Sequence, residues 1–158
     1  MPKRHIATPP PAHPAADDAV ASDTTPCNNL ALRQAARHVS QIYDRHMAQA
    51  GLRGSQYSIL SKLARLGALP IGRLAEAMVM DRTALGRALG PLERDKLIKV
   101  GEGPDGRTRS VALTALGQTR LVEAAVLWRK AQDEFEARFG VDEAESLRAT
   151  LKRVVTAV

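Results

Sequence analysis

Residues 74–98 read LAEAMVMDRTALGRALGPLERDKLI, and their periodicity decides the fold. Leu85, Leu89 and Leu92 recur at helical spacing, so one side of a helix is apolar while Arg82, Thr83, Gly86, Arg87 and Gly90 face the other way. Asp81 stands just before this stretch, where a carboxylate can accept a hydrogen bond from the unsatisfied N–H groups of a helix start. A shorter helix is predicted over residues 71–78, IGRLAEAM, directly after Pro70.

Downstream the period falls from 3.6 towards 2. LIKV at 97–100 is followed by GPDGRTRSVALT at 103–114, a two-stranded hairpin whose tip is shaped by Gly103, Pro104 and Gly106 and whose returning strand is anchored by Val111 and Leu113. Asp105, two residues before Arg107, can hold the guanidinium by a charge-assisted hydrogen bond and so present it in one direction. Arg107 would then enter a narrow, negative minor groove, and Arg109, one pleat further on, would reach a phosphate. Helix, turn, helix and basic hairpin in this order make a winged helix-turn-helix, mainly α and α+β by its wing. The second helix suits the major groove, with Arg82, Thr83 and Arg87 set against base edges or nearby phosphates.

Working outward, residues 1–26 hold six of the nine prolines and develop no apolar period, so they are expected to be a disordered tail. Residues 27–158 are expected to form one domain. A first helix is predicted from a cap at Asn28 or Asn29 to about residue 50, a second over 55–66, a long one over 115–138 and a last over 141–155, with Val141, Ala144, Leu147, Leu151 and Val154 on one side. These elements carry more apolar faces than one compact monomer can cover. The helices of 28–50 and 115–158 are therefore expected to join two copies into a homodimer, and 55–114 to form the DNA-binding lobe.

Composition narrows the function classes. The 158 residues carry a net charge of +6, of which 27–66 contribute +5 and 81–109 contribute +2, so the basic excess gathers before and within the winged motif. That distribution suits double-stranded DNA. Aromatics make up 3% of the chain, too few for the stacking platforms of RNA-binding and single-strand-binding proteins. No apolar run spans a membrane, the N-terminal stretch lacks the apolar core of a secretory signal, and Cys27 is the single cysteine, so a cytoplasmic protein is expected. His38 and His46 are eight residues apart, not at the spacing of a helical metal pair, and no Gly-rich phosphate loop exists. No catalytic residues, metal or cofactor are expected.

The run LAEAMVMDRTALGRALGPLERDKLI, followed by Asp105, Arg107, Leu113-Thr114 and Gly117, resembles the DNA-binding core of the MarR (multiple-antibiotic-resistance regulator) family over about residues 28–155. Two positions depart from the family pattern. Pro91 lies inside the recognition helix, and Lys96 stands where a glycine is usual, which predicts a differently shaped turn. The resemblance implies a dimeric repressor released from a pseudo-palindromic operator by a small aromatic effector, carboxylate or phenol, bound between the first, second and fifth helices. Tyr43, His46, Met47, Tyr57 and Trp128 could line such a cleft, with Arg33 or Arg45 meeting a carboxylate. Two alternatives are a sequence-independent architectural role and a redox sensor of the same fold through Cys27, beside the positive end of the first helix. In the peroxide-sensing branch of the family the reactive cysteine falls fourteen residues before the tyrosine matching Tyr43; here that position is Asn29, and Cys27 stands two residues earlier.

Overall fold

The computed structural model of the chain describes residues 27–103, 106 and 108–157, so the expected tail over 1–26 lies outside the described residues. Two units are distinguished, one ending at Gln34 and one beginning at Ala35. The first contains the start of helix α1 (Asn28–Met47). Cys27 caps it: its carbonyl accepts from the Ala31 nitrogen at 3.0 Å, and its Sγ accepts from the Leu30 nitrogen at 3.4 Å. Asn28 and Asn29, expected as caps, are instead the first two helical residues.

The second unit holds the rest of α1, a 3₁₀ turn (Ala48–Ala50), α2 (Gly54–Leu66), β1 (Leu69–Pro70), α3 (Ile71–Met78), α4 (Arg82–Arg94), β2 (Ile98–Glu102), β3 (Arg109–Leu113), α5 (Ala115–Phe139) and α6 (Val141–Ala157). Its core draws on most of these elements. Leu60 and Leu63 of α2, Leu74 of α3, Leu85 and Leu92 of α4, Ile98 of β2, Val111 of β3 and Ala124 of α5 are all buried in one cluster. Each large aliphatic among them contributes about 1.5–3 kcal/mol, so burial of a single stripe fixes the rotation of α4 about its axis.

The sheet has three strands in the order β1-β3-β2, all antiparallel, rather than the two expected. The third arises because Leu69 and Pro70 pair with Val111 and Ser110 on the edge that β2 leaves free. Proline lacks a donor and is admitted only at such an edge. β2 and β3 pair from Ile98↔Leu113 to Glu102↔Arg109, which aims the wing away from the core.

One junction ties wing, recognition helix and long helix together. Thr114 caps α5 by accepting from the Gly117 nitrogen at 2.9 Å, its hydroxyl donates to the Lys96 carbonyl at 2.7 Å, and its own N–H reaches the Leu97 carbonyl at 3.1 Å. Gly117 is buried there, and a Cβ built on it would collide with that Leu97 carbonyl. Lys96 takes φ 58, the left-handed conformation that glycine favours, with its N–H on Glu93 O at 2.9 Å and the Leu97 N–H on Leu92 O at 2.9 Å. Lys96 thus adopts the conformation that a glycine would favour at this position. α4 also continues through Pro91 to Arg94.

Candidate nucleic-acid interface

α4 starts where the sequence places it. Asp81 Oδ1 accepts from the Ala84 nitrogen at 2.7 Å, and with Leu85, Leu89 and Leu92 inward, Arg82, Thr83, Gly86, Arg87 and Gly90 are all exposed. A Cβ built on Gly86 or Gly90 meets nothing within 4 Å, so neither glycine is required by packing within the chain. What they provide is a bare strip of backbone on the outward face, beside Thr83 and Arg87, that another surface can approach closely.

The wing is closed at its base by the Gly103 N–H on Thr108 O at 2.7 Å, and its tip turns through Gly106 at φ 64 with the Gly106 N–H on Gly103 O at 3.0 Å. Asp105 and Arg107, expected as the aiming pair, lie outside the described residues, as does Pro104. Arg109 is exposed at the start of β3 and shares with Arg82, Arg73 and Thr108 a cleft of about 360 Å³ floored by Pro70, Ile71 and Gly72. Arg73 is held by Glu76 at 2.8 Å, whereas Arg82, Arg87 and Arg109 have no acidic partner among the described residues. Three guanidinium groups without an acidic partner among the described residues, on adjoining surfaces, favour a polyanion.

No family model matches the chain. The transcriptional regulator MosR of M. tuberculosis, solved in complex with DNA, is 32% identical, with a TM-score of 0.76 over 84% of this chain and 96% of that one. The chain belongs to the MarR family. The transcriptional regulator HosA of Escherichia coli O111:H- is 27% identical over 135 residues, covering 81% of this chain and all of HosA. A MarR mutant from E. coli complexed with operator DNA, 18% identical, shares the fold with a TM-score of 0.72 over 80% of this chain and 91% of that one. This MarR-family chain is a transcriptional regulator and not an enzyme.

A second cavity lies between α1, α2 and α5. A pocket of about 300 Å³ is lined by Val39, Ser40, Tyr43 and Asp44 of α1, Gly54, Ser55 and Ser58 of α2, and Trp128 of α5. Of the side chains expected around an effector, Tyr43 and Trp128 line it, and Tyr57 stacks on Trp128 with ring centroids 6.0 Å apart. Burial raises the phenol pKa of both Tyr43 and Tyr57, so both rings stay neutral hydrogen-bonding groups at physiological pH. Asp44 is the one charged side chain among the described lining residues, and its Oδ1 accepts from the Gly54 nitrogen at 2.7 Å. Arg33, in the first unit, is exposed. Met47 is fully buried in the core.

Arg45 and His46 turn to Glu134 of α5 instead. Arg45 Nη2 lies 2.7 Å from Glu134 Oε1 and His46 Nε2 lies 2.7 Å from Oε2, while Arg138 reaches Oε1 at 2.9 Å. The hydrogen bond from His46, reinforced by the charges of Arg138 and Arg45, holds the Glu134 carboxyl below the usual carboxylate range against its desolvation. Sequence reading did not find this pair, because residues 88 apart leave no local pattern. It also passed over Gly72 and Arg73; the one available signal was a glycine inside a short helix.

Proposed function

We propose that the chain acts as a homodimer that represses transcription by holding a pseudo-palindromic operator, with α4 in the major groove and the wing on the flanking minor groove. The observation that carries this reading is the outward face of α4, where Thr83 and Arg87 border backbone bared by Gly86 and Gly90, while Arg82 and Arg109, with no acidic partner among the described residues, line the adjoining cleft. That MosR, 32% identical, is solved in complex with DNA supports DNA as the partner. On this reading Asp105 aims Arg107 into the minor groove, and Arg107→Ala lowers affinity by about 1–3 kcal/mol at matched salt. For the dimer, support comes from α5 and α6, which leave Val122, Val126, Val141 and Val155 more than half exposed in the single chain.

Release by an aromatic effector is the second half of the proposal, and the pocket between α1, α2 and α5 is its seat. With Asp44 as its charged lining group, beside Ser40, Ser55, Ser58 and Tyr43, the pocket favours a phenol over a carboxylate. The test is a footprint on the chain's own upstream region. A protected two-fold site with half-sites about one helical turn apart, lost on adding a phenol, is expected. Uniform protection regardless of sequence would instead fit an architectural protein. Redox control through Cys27 is the lesser reading, supported by the exposed thiol at the start of α1.

A further inference from the structure

A glycine at the second position of an eight-residue helix is unfavourable, and nothing about the backbone of α3 requires one at Gly72, whose φ is not positive. The reason lies across the turn. A Cβ built on Gly72 would sit 3.2 Å from Arg82 Nη2, 3.4 Å from Nε and 3.5 Å from Cζ, so the guanidinium of the first residue of α4 rests against the one α3 position that has no side chain. There it faces the cleft shared with Thr108 and Arg109 rather than running along the outward strip of α4.

We infer that Gly72 is a positioning residue for Arg82, and that Arg82 so placed binds a DNA backbone phosphate together with Arg109, leaving the reading of bases to Thr83 and Arg87. The inference rests on the proposed DNA-binding role and assigns one of its arginines to affinity instead of specificity. Two cations on a concave surface suit a phosphate, which both can approach at once; a flat base edge is better met by a side chain projecting from the helix face. Arg73 and Glu76 also line the cleft, but they are paired with each other at 2.8 Å and add no net charge, which leaves Arg82 and Arg109 as its cations.

The test uses the full chain and two duplexes, its upstream operator and a scrambled one, in anisotropy titrations over a salt series. Arg82→Ala is expected to weaken binding about three- to tenfold on both duplexes alike and to reduce the salt slope by about one. Gly72→Ala is expected to weaken binding several-fold when Arg82 is present and to add nothing in the Arg82→Ala background. Because alanine is the better helix former, Gly72→Ala should melt at or above the wild-type temperature, which separates the loss from misfolding. A Gly72→Ala effect that persists without Arg82, an unchanged affinity, or a loss for Arg82→Ala confined to the operator would each overturn the inference while leaving the DNA-binding reading standing. Failure of the wild-type chain to bind any duplex would overturn both.

Discussion

Replacing Gly117 with alanine should destabilise the chain by about 2–4 kcal/mol, although the same exchange in an exposed helix stabilises by up to about 1 kcal/mol. Gly117 is the third residue of α5 and gives its N–H to Thr114 Oγ1. The added methyl would strike the Leu97 carbonyl and lie 2.9 Å from Leu113 Cδ1. Neither neighbour is free to retreat: Leu97 O holds the Thr114 N–H, Leu97 N is bonded to Leu92 O, and Leu113 is paired with Ile98. α5 must therefore back away from the sheet. Overpacking of this kind costs about 1–3 kcal/mol, and a strained or lost cap adds about 1 kcal/mol. Loss of the Thr114–Leu97 bond adds about 1 kcal/mol more, against which helix propensity returns up to about 1 kcal/mol. At roughly 3–5 °C per kcal/mol the melting temperature should fall by about 6–20 °C. Circular-dichroism melts and urea titrations measure this directly, with Gly86→Ala as the control that gains stability because its Cβ enters open space. A Gly117→Ala chain melting level with Gly86→Ala would refute the argument from close approach.

Three further outcomes are expected. Glu134 has a lowered pKa, so its ion-paired form stabilises the fold above the unfolded value near 4.3 and that stabilisation fades as pH falls through the lower folded value; Glu134→Gln should lower the melting temperature at pH 7 and draw level with wild type as pH falls below that folded value, and a difference independent of pH would exclude the His46 and arginine contacts as its source. Lys96→Gly should raise stability by about 1 kcal/mol in urea titrations by relieving a left-handed residue at φ 58, and no gain would mean that the turn imposes no strain. Leu151→Asp combined with Val154→Asp, at exposed positions of α6, should shift the mass measured by light scattering from dimer to monomer, whereas an unchanged mass would remove α6 from the interface.

Elements whose apolar spacing is strong were legible before the structure. The stripe Leu85-Leu89-Leu92 and the Asp81 cap place α4, and the bounds 71–78 hold for α3, because local chemistry and burial agree at those positions. β1 was not legible. Two residues carry no period, and Leu69–Pro70 become a strand solely because β3 presents a free edge to them. The cap of α1 was missed for a chemical reason: sulfur is a weak acceptor that cap preferences do not favour, so the two asparagines drew the assignment that Cys27 takes. Lys96 was not legible either. A lysine is not a residue from which a left-handed conformation is expected, and the backbone bonds from Lys96 to Glu93 and from Leu97 to Leu92 accompany it at φ 58.

The candidate site divides along the same line. Which side chains of α4 face outward follows from periodicity, but which way each then leans is set by neighbours far along the chain. Thr83 and Arg87 are placed by the helix alone. Arg82 is placed by Gly72, ten residues earlier and on another helix. In the pocket between α1, α2 and α5, Tyr43 and Trp128 line the wall as their residue types suggested, yet its charge was not foreseeable: Glu134 draws Arg45 and His46 to another contact, and Asp44 is the charged lining group. A cation counted from sequence as available to a ligand is available only if no carboxylate elsewhere in the fold has taken it first, and that competition is decided by tertiary distances that spacing along the chain does not encode.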